Sequence, residues 1–323
     1  MREDKTMRMP IALGLVLALG TASAAQEAYP TRPITMIVPF AAGGASDVIA
    51  RIVAEEMAKH LGQRIVHENV GGAGGTTALT RASRAAPDGY TIFIGNSGTN
   101  AAAYSIYPDL RYTPASFAPV GLVARTYSVL AVKRDFPAQT LAGLIEHARA
   151  NPGAVRLGHA GVGSQNFLIC RAFLAEARVD ITLVSYRGAG PALNDLIGGH
   201  IDGVCDAATS VAPAISAGQA RGLAVASPGR AATLPGVPTS TEAGLPGFQM
   251  QSWNAIFVPA GTPAPIVARL NAAIRAAVAS DFVRARFGEM TAQVPAEADL
   301  SPDVVPPLVE RDIARFRDLM KER

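Results

Sequence analysis

Short apolar runs that read as strands alternate along this chain with segments of helical period, and glycine-bearing turns join them. That alternation restricts the fold to parallel α/β architecture. Ile34 to Phe40 (ITMIVPF) reads as a buried strand, after which Gly43-Gly44 turns the chain into a helix carrying Ile49, Val53, Met57 and Leu61 on one stripe. Gly62 is placed to stop that helix. Arg64 to Glu68 is a second strand, the Gly71 to Gly75 loop opens a second helix, and Tyr90 to Gly95 (YTIFIG) is a third strand, completing a βαβαβ half. A second series repeats the layout: Val155 to His159, a helix through Phe167 to Phe173, Thr182 to Tyr186, a helix from Pro191, Ile201 to Cys205, and Gly222 to Ala226.

Between the two series lies Val120 to Val132 (VGLVARTYSVLAV), and after the second comes Met250 to Pro259 (MQSWNAIFVP). Both are long enough to cross from one lobe to another, which makes them hinge candidates, with crossings near Arg125 and Gln251. The tail beyond Pro302 sets Leu308, Val309, Ile313, Phe316 and Met320 against Glu310, Arg311, Arg315, Asp318 and Lys321, an amphipathic closing helix.

At the N-terminus Arg2, Lys5 and Arg8 precede the unbroken apolar run Ile11 to Gly20, followed by Ala22-Ser23-Ala24. A bilayer span needs roughly 20 apolar residues, and a secretory h-region only about 7 to 15 before a small-residue cleavage site. Residues 1–24 are therefore expected to be a signal peptide cleaved after Ala24, rather than a retained anchor. The mature chain, 323 residues less these 24, exceeds a usual single core and suggests two lobes. Cleavage removes three basic and two acidic residues, so the net charge of +3 becomes +2. With 17% charged and 6% aromatic residues and the cations scattered, neither a phosphate-tracking stripe nor a base-stacking platform is legible, which argues against nucleic acid as a partner.

Two cysteines, Cys170 and Cys205, in a chain sent to an oxidising compartment can form a disulfide or remain buried thiols, and the sequence leaves both open. The five histidines, at 60, 67, 147, 159 and 200, show no pair at helical ligand spacing and no accompanying CxxC, so no metal is expected.

The chemistry lies in four turns: Pro39 to Gly44, Gly71 to Gly75, Gly161 to Ser164, and Arg187 to Pro191. Each carries glycines between a strand end and a helix start, where free backbone N–H groups and the helix dipole favour an anion. One such loop alone reads equally well as a tight turn. Four together on one sheet edge point to a cleft for a carboxylate. Gly161-Val162-Gly163-Ser164-Gln165-Asn166 misses the dinucleotide fingerprint at its third glycine, no phosphate-loop lysine motif exists, and Gly95-Asn96-Ser97-Gly98 fails the nucleophile-elbow spacing. Asp47 reads first as a cap of the first helix, Asp206 as a strand-end acceptor, Arg187 as a partner for a ligand carboxylate or a surface cation, and Trp253 as interlobe filling. On this reading Gly163→Val should abolish ligand-induced stabilisation and leave the apo fold intact.

A resemblance runs through these same residues. Tyr29-Pro30 with Ile34 to Asp47 (ITMIVPFAAGGASD), Glu68-Asn69 with Gly72 to Gly75, and Pro87 to Thr91 (PDGYT) resemble the Bug-type receptors of tripartite tricarboxylate transporters. Tyr186 to Asp202, Arg221 to Ala226, Leu234 to Gly244 (LPGVPTSTEAG), Trp253 and Pro259 to Leu270 continue it in order over nearly the whole mature chain. The resemblance implies an α/β, two-lobed periplasmic-binding-protein fold (type II, Venus flytrap) with hinge-crossing strands. On that pattern lobe 1 comprises residues 25–124 and 250–323, and lobe 2 residues 125–249. It further implies a periplasmic, monomeric, non-enzymatic receptor without cofactor that closes on a small carboxylate and delivers it to a two-subunit membrane permease.

Carried over residue by residue, the ligand set is Phe40, Ala41, Ala42, Gly43, Gly44, Asp47, Ser97 and Asn100 in one lobe. In the other it is Gly161, Gly163, Ser164, Gln165, Tyr186, Arg187, Gly188 and Asp206. Ser185, Arg187, Val70 and Asn166 stand where proline, lysine, arginine and histidine are common, and Asn166 borders the pocket, so the particular acid stays unread. Two other roles use the same features differently: a periplasmic sensor docking on a membrane kinase, and an exported hydrolase, for which no nucleophile constellation is legible.

Overall fold

The computed structural model describes residues 29–321 together with Met1; the expected leader and its cleavage site lie outside them. The first half runs β1 (Ile34–Val38), α1 (Ala45–Leu61), β2 (Ile65–Asn69), α2 (Thr76–Ala82), β3 (Thr91–Asn96), a π-helical turn Gly98–Ala102, and α3 (Ala103–Ile106). Strand β1 ends at Val38 rather than Phe40, since Pro39 has no N–H for the ladder. On α1 the expected stripe of Ile49, Val53, Met57 and Leu61 is buried, and Gly62, at φ 72°, closes the helix by donating its N–H to Ala58 O.

Strand β4 (Phe117–Lys133) then carries the chain into a second series: α4 (Leu141–Ala150), β5 (Arg156–His159), α5 (Gln165–Ala177), β6 (Thr182–Ser185), α6 (Ala189–Ile197), β7 (Gly203–Ala207), α7 (Ala208–Ser216) and β8 (Ala220–Val225). Helix α6 begins two residues before the expected Pro191, which occupies its first turn, where a missing N–H costs nothing. The return strand β9 (Gln251–Pro259) leads to α8 (Ala264–Ala279), α9 (Asp281–Glu289), β10 (Ala292–Gln293) and α10 (Val305–Leu319).

The two lobes repeat one topology. In the first the strands lie β2-β1-β3-β9-β4, with β1 parallel to β2 and β3, and β9 antiparallel to β3 and β4. In the second they lie β6-β5-β7-β4-β8, with β5 parallel to β6 and β7, and β4 antiparallel to β7 and β8. Each lobe thus takes one antiparallel strand from a crossing segment, and in the first lobe β10 adds a second, antiparallel to β4 at Arg125 and Thr126. Strand β4 pairs with β9 as far as Tyr127↔Gln251 and with β7 from Ser128↔Ala207 onward, so one continuous strand serves both sheets. Helix α10 spans them from behind: Leu308 and Val309 pack with Trp253 and Phe257, whereas Phe316 joins the cluster of Phe173, Phe248 and Leu130. Trp253 Nε1 donates to the buried Asp312 of α10 at 2.8 Å. Among the described residues no helix is long and apolar enough to cross a membrane.

Candidate functional site

In a parallel α/β unit the strands deliver their carboxyl ends, and the helices that follow present their N-termini, to one edge. Here two such edges face each other across β4 and β9. The four glycine turns divide between them, two on each lobe, rather than lining a single edge. A small cavity lies between the edges, lined by Phe40, Gly44, Ala45, Ser46 and Asn96 from the first lobe, Ala160, Gln165, Asn166, Ala189 and Ala207 from the second, and Thr126, Ser252 and Asn254 from the crossing strands.

Four helices begin at this cavity: α1 at Ala45, α5 at Gln165, α6 at Ala189 and α7 directly after Ala207. The first-turn N–H groups of a helix have no partner within it, and the axial dipole puts partial positive charge there. In α5 the cap Ser164 accepts from Phe167 N through its Oγ and from Leu168 N through its carbonyl, so the preceding N–H groups of Gln165 and Asn166, two residues that line the cavity, have no partner within the helix. Among the described residues no Lys, Arg or His lines it. Positive potential in the cavity therefore comes from backbone dipoles, which suits an anion held without a salt bridge.

The polar side chains are tied into one network across the lobes. Ser97 Oγ donates to Gln165 Oε1 at 2.6 Å, and because a hydroxyl has one hydrogen, Ser252 Oγ is then the donor in its 2.6 Å contact with Ser97. Gln165 Nε2 is left buried with no partner, as is Thr209 Oγ1 on α7. Ser46 Oγ donates to Asn254 Oδ1 at 3.1 Å and accepts from Asn96 Nδ2 at 3.2 Å, while Asn96 Oδ1 accepts from the N–H groups of Gly98 and Thr99. Buried donors without acceptors are costly, so the Gln165 amide marks where an acceptor belongs.

Both carboxylates of the expected set sit behind the lining. Asp47 accepts from Gly43 N, from Arg51 Nε and from Asn69 Nδ2, fixing the turn that enters α1. Burial alone would raise its pKa, but these hydrogen bonds outweigh it and hold the group below its ordinary value. Asp206 accepts from Asn166 Nδ2 and Ala207 N, each at 2.7 Å. Burial pushes its pKa up to about 6 despite those bonds and one from Ser210. His159, just before the Gly161 turn, is buried, which lowers its pKa, and its Nδ1 accepts from Gly161 N at 3.2 Å.

Of the expected ligand residues, Phe40, Gly44 and Gln165 line the cavity. Others hold the lobes together around it. Ala41 N donates to Arg187 O across the lobes at 3.2 Å, while the Arg187 side chain is exposed. Gly188, Gly190 and Gly74 lie so close to the facing backbone that a Cβ would come within 2.9 Å of Ala41 N, 2.3 Å of Ala42 O and 1.9 Å of Val162 O respectively. Tyr107, from the segment after α3, donates its OH to Val162 O at 2.7 Å. Ala42, Gly43, Gly161, Gly163, Ser164 and Asn100 are turn or cap residues off the lining, and Tyr186 OH points to Asp195 Oδ2 at 2.7 Å. Gly163 has φ +78°, and a Cβ there would lie 2.8 Å from the Tyr107 ring. Gly163→Val thus strains its own turn whether or not the lobes are closed, a cost additional to the loss of ligand response expected above.

The lining residues outside the expected set are mainly those of the crossing strands. Ser252 and Asn254 share one face of β9, and Trp253 points to the other, toward α10. Their signal was present as polar residues at period two inside an otherwise apolar strand. The cysteines are joined: Cys170 and Cys205 form a disulfide with Cα atoms 5.4 Å apart, tying α5 to β7 behind the cavity.

Comparison with known proteins places this arrangement. The family described as "Tripartite tricarboxylate transporter family receptor" matches residues 49–294. MatC from Rhodopseudomonas palustris, solved with bound malate, is 40% identical and superimposes with a TM-score of 0.87 over 90% of this chain and 99% of its own. The periplasmic binding protein BugD is 35% identical, with a TM-score of 0.87 over 91% of this chain and 98% of its own. The R. palustris protein Rpa4515, solved with adipate, is 35% identical, with a TM-score of 0.86 over 91% and 98%. With the α/β periplasmic-binding-protein fold and the family match in agreement, this chain belongs to the tripartite tricarboxylate transporter receptor family, a family of solute-binding receptors.

Proposed function

We propose that this receptor is exported to the periplasm, closes its two lobes on a small dicarboxylate, and hands it to the membrane permease of its transporter. The observation that carries the reading is the convergence of four helix N-termini on one cavity beside the unpartnered Gln165 amide. That donor set is suited to carboxylate oxygens, and malate and adipate in two similar structures have the same chemistry. The Ile11 to Gly20 run with its Ala22-Ser23-Ala24 site supports export. The permease follows from the family's role.

The ligand set on this reading is Phe40, Gly44 and Gln165, joined by the lining residues Ser46, Asn96, Thr126, Asn166, Ser252 and Asn254. Ala41, Gly74, Gly188 and Gly190 act in closure. The lobes divide at about residues 124/125 and 249/250, a division supported by the change of partner along β4 between Tyr127 and Ser128. A thermal-shift screen of the mature protein, refolded to strip carried-over ligand, against mono-, di- and tricarboxylates tests the proposal. A ligand at 100 times its Kd adds about 2.7 kcal/mol of apparent stability. A melting curve that no carboxylate moves refutes it.

A further inference from the structure

Four side-chain amides line the cavity, and three of them face it the same way. Asn96, Asn254 and Gln165 each spend their carbonyl oxygen on a protein donor: the N–H groups of Gly98 and Thr99, the Ser46 hydroxyl and the Ser97 hydroxyl respectively. What they have left for a ligand is N–H. Asn166 is reversed. Its Nδ2 donates to Cys205 O at 3.0 Å and to Asp206 Oδ1 at 2.7 Å, which uses both of its hydrogens on acceptors. A backbone carbonyl cannot donate, so the orientation of this amide is chemically determined. Asn166 keeps partial exposure at the cavity while Gly163, Ser164 and Gln165 beside it are buried, and the group it has unspent is the acceptor Oδ1. The Cys170–Cys205 disulfide, one turn further along α5, clamps that helix to the strand carrying both of its acceptors, so the amide is held in this orientation.

A bare carboxylate has no hydrogen to offer such an acceptor. We infer that Asn166 is a specificity-determining residue that selects a hydroxy acid, its Oδ1 accepting a hydrogen bond from a ligand hydroxyl while the surrounding N–H groups take the carboxylates. An ammonium group is the other donor a small acid could carry. It is disfavoured because four helix N-termini put positive potential in the cavity, and the one carboxylate next to Asn166, Asp206, is behind the lining and already accepts from Asn166 and Ala207. The inference rests on the carboxylate reading above and narrows it.

Titration calorimetry on refolded protein, with diacids matched except at one substituent, tests it. The probes are succinate with its 2-hydroxy, 2-fluoro and 2-amino derivatives, and adipate with 2-hydroxyadipate. In the wild type the hydroxy acid should bind roughly tenfold tighter than its unsubstituted parent, because the parent leaves the Asn166 Oδ1 acceptor without a donor in the closed cleft. The fluoro analogue, similar in size but without a hydrogen to donate, should bind like the parent, and the amino acid more weakly than the hydroxy acid. In Asn166→Ala the hydroxy and unsubstituted acids should come within about threefold of each other, a ratio that cancels any general loss of affinity. Equal binding of hydroxy, fluoro and parent acids overturns the inference without need of the variant. So does a preference for the amino acid, or a hydroxyl preference that survives Asn166→Ala. Binding of other carboxylates with none of these probes overturns it while leaving the carboxylate reading intact, and absence of any carboxylate ligand removes both.

Discussion

Gly190→Ala separates closure from folding. Gly190 is the second residue of α6, and its φ lies outside the left-handed region, so alanine fits the open lobe and improves helix propensity by up to about 1 kcal/mol. Across the cleft the added Cβ would stand 2.3 Å from Ala42 O, 3.3 Å from Ala42 C and 3.4 Å from Gly43 Cα, all of them backbone atoms that no side-chain rotation can move. An ordinary contact needs about 1 Å more, so the seam has to open by that distance. Opening loses the Ala41 N to Arg187 O hydrogen bond, about 1 kcal/mol, and weakens at least one charged hydrogen bond from the displaced lobe, about 2 kcal/mol. A total of about 3 kcal/mol corresponds to a loss in affinity of roughly a hundredfold.

Calorimetry with the acid identified by the screen measures that loss, and small-angle scattering reads whether ligand still compacts the protein. Gly288→Ala is the control: it lies in α9 with nothing within 4 Å of the added Cβ, so it should gain similar stability at unchanged affinity. Binding by Gly190→Ala within threefold of wild type, or an apo protein that no longer folds, would refute the closure argument.

Three further outcomes follow from particular groups. Removing the Cys170–Cys205 link, which spans 35 residues, should cost about 4 kcal/mol by the loop-entropy relation, read as a lower urea midpoint for the double alanine variant. Asp206 has a folded-state pKa raised to about 6 by burial, so its proton is held more tightly in the folded state. Its contribution to stability is therefore greatest below its ordinary pKa and is lost as pH rises toward 6. Asp206→Asn should consequently be up to about 3 kcal/mol more stable than wild type at pH 7 and lose that advantage near pH 4, and equal denaturation midpoints at pH 7 would contradict the assignment. Asp312→Ala strands the N–H of Trp253, the single tryptophan, and should cost about 2 kcal/mol together with a shift in intrinsic emission.

The order of β1 to β9, the βαβαβ repeat, the two crossings and the buried apolar stripe on α1 were legible, because each is a local matter of hydrophobic period and turn chemistry, whereas α3, α4, α7, α8 and α9 were not read. The glycine turns were legible as special but not as what they are. Phe40 and Gly44 do reach the cavity, yet Gly74, Gly188 and Gly190 serve the approach of one lobe to the other, a requirement imposed by backbone atoms remote in sequence. Asp47 and Asp206, chosen as strand-end or helix-start carboxylates, are turned behind the lining to N–H donors that folding brings beside them. Ser252 and Asn254 were passed over since β9 reads as a hinge, and only its pairing between β3 and β4 shows which face meets the cleft.

By itself, then, the order of residues determined the α/β class, the duplication and the family, since period and motif are properties of the chain. Which amide offers a donor and which an acceptor, whether the cysteines meet, and which glycines touch the opposite lobe were decided only in three dimensions. Hydrogen-bond direction and steric contact depend on the partner that folding brings close, and those partners are remote in sequence.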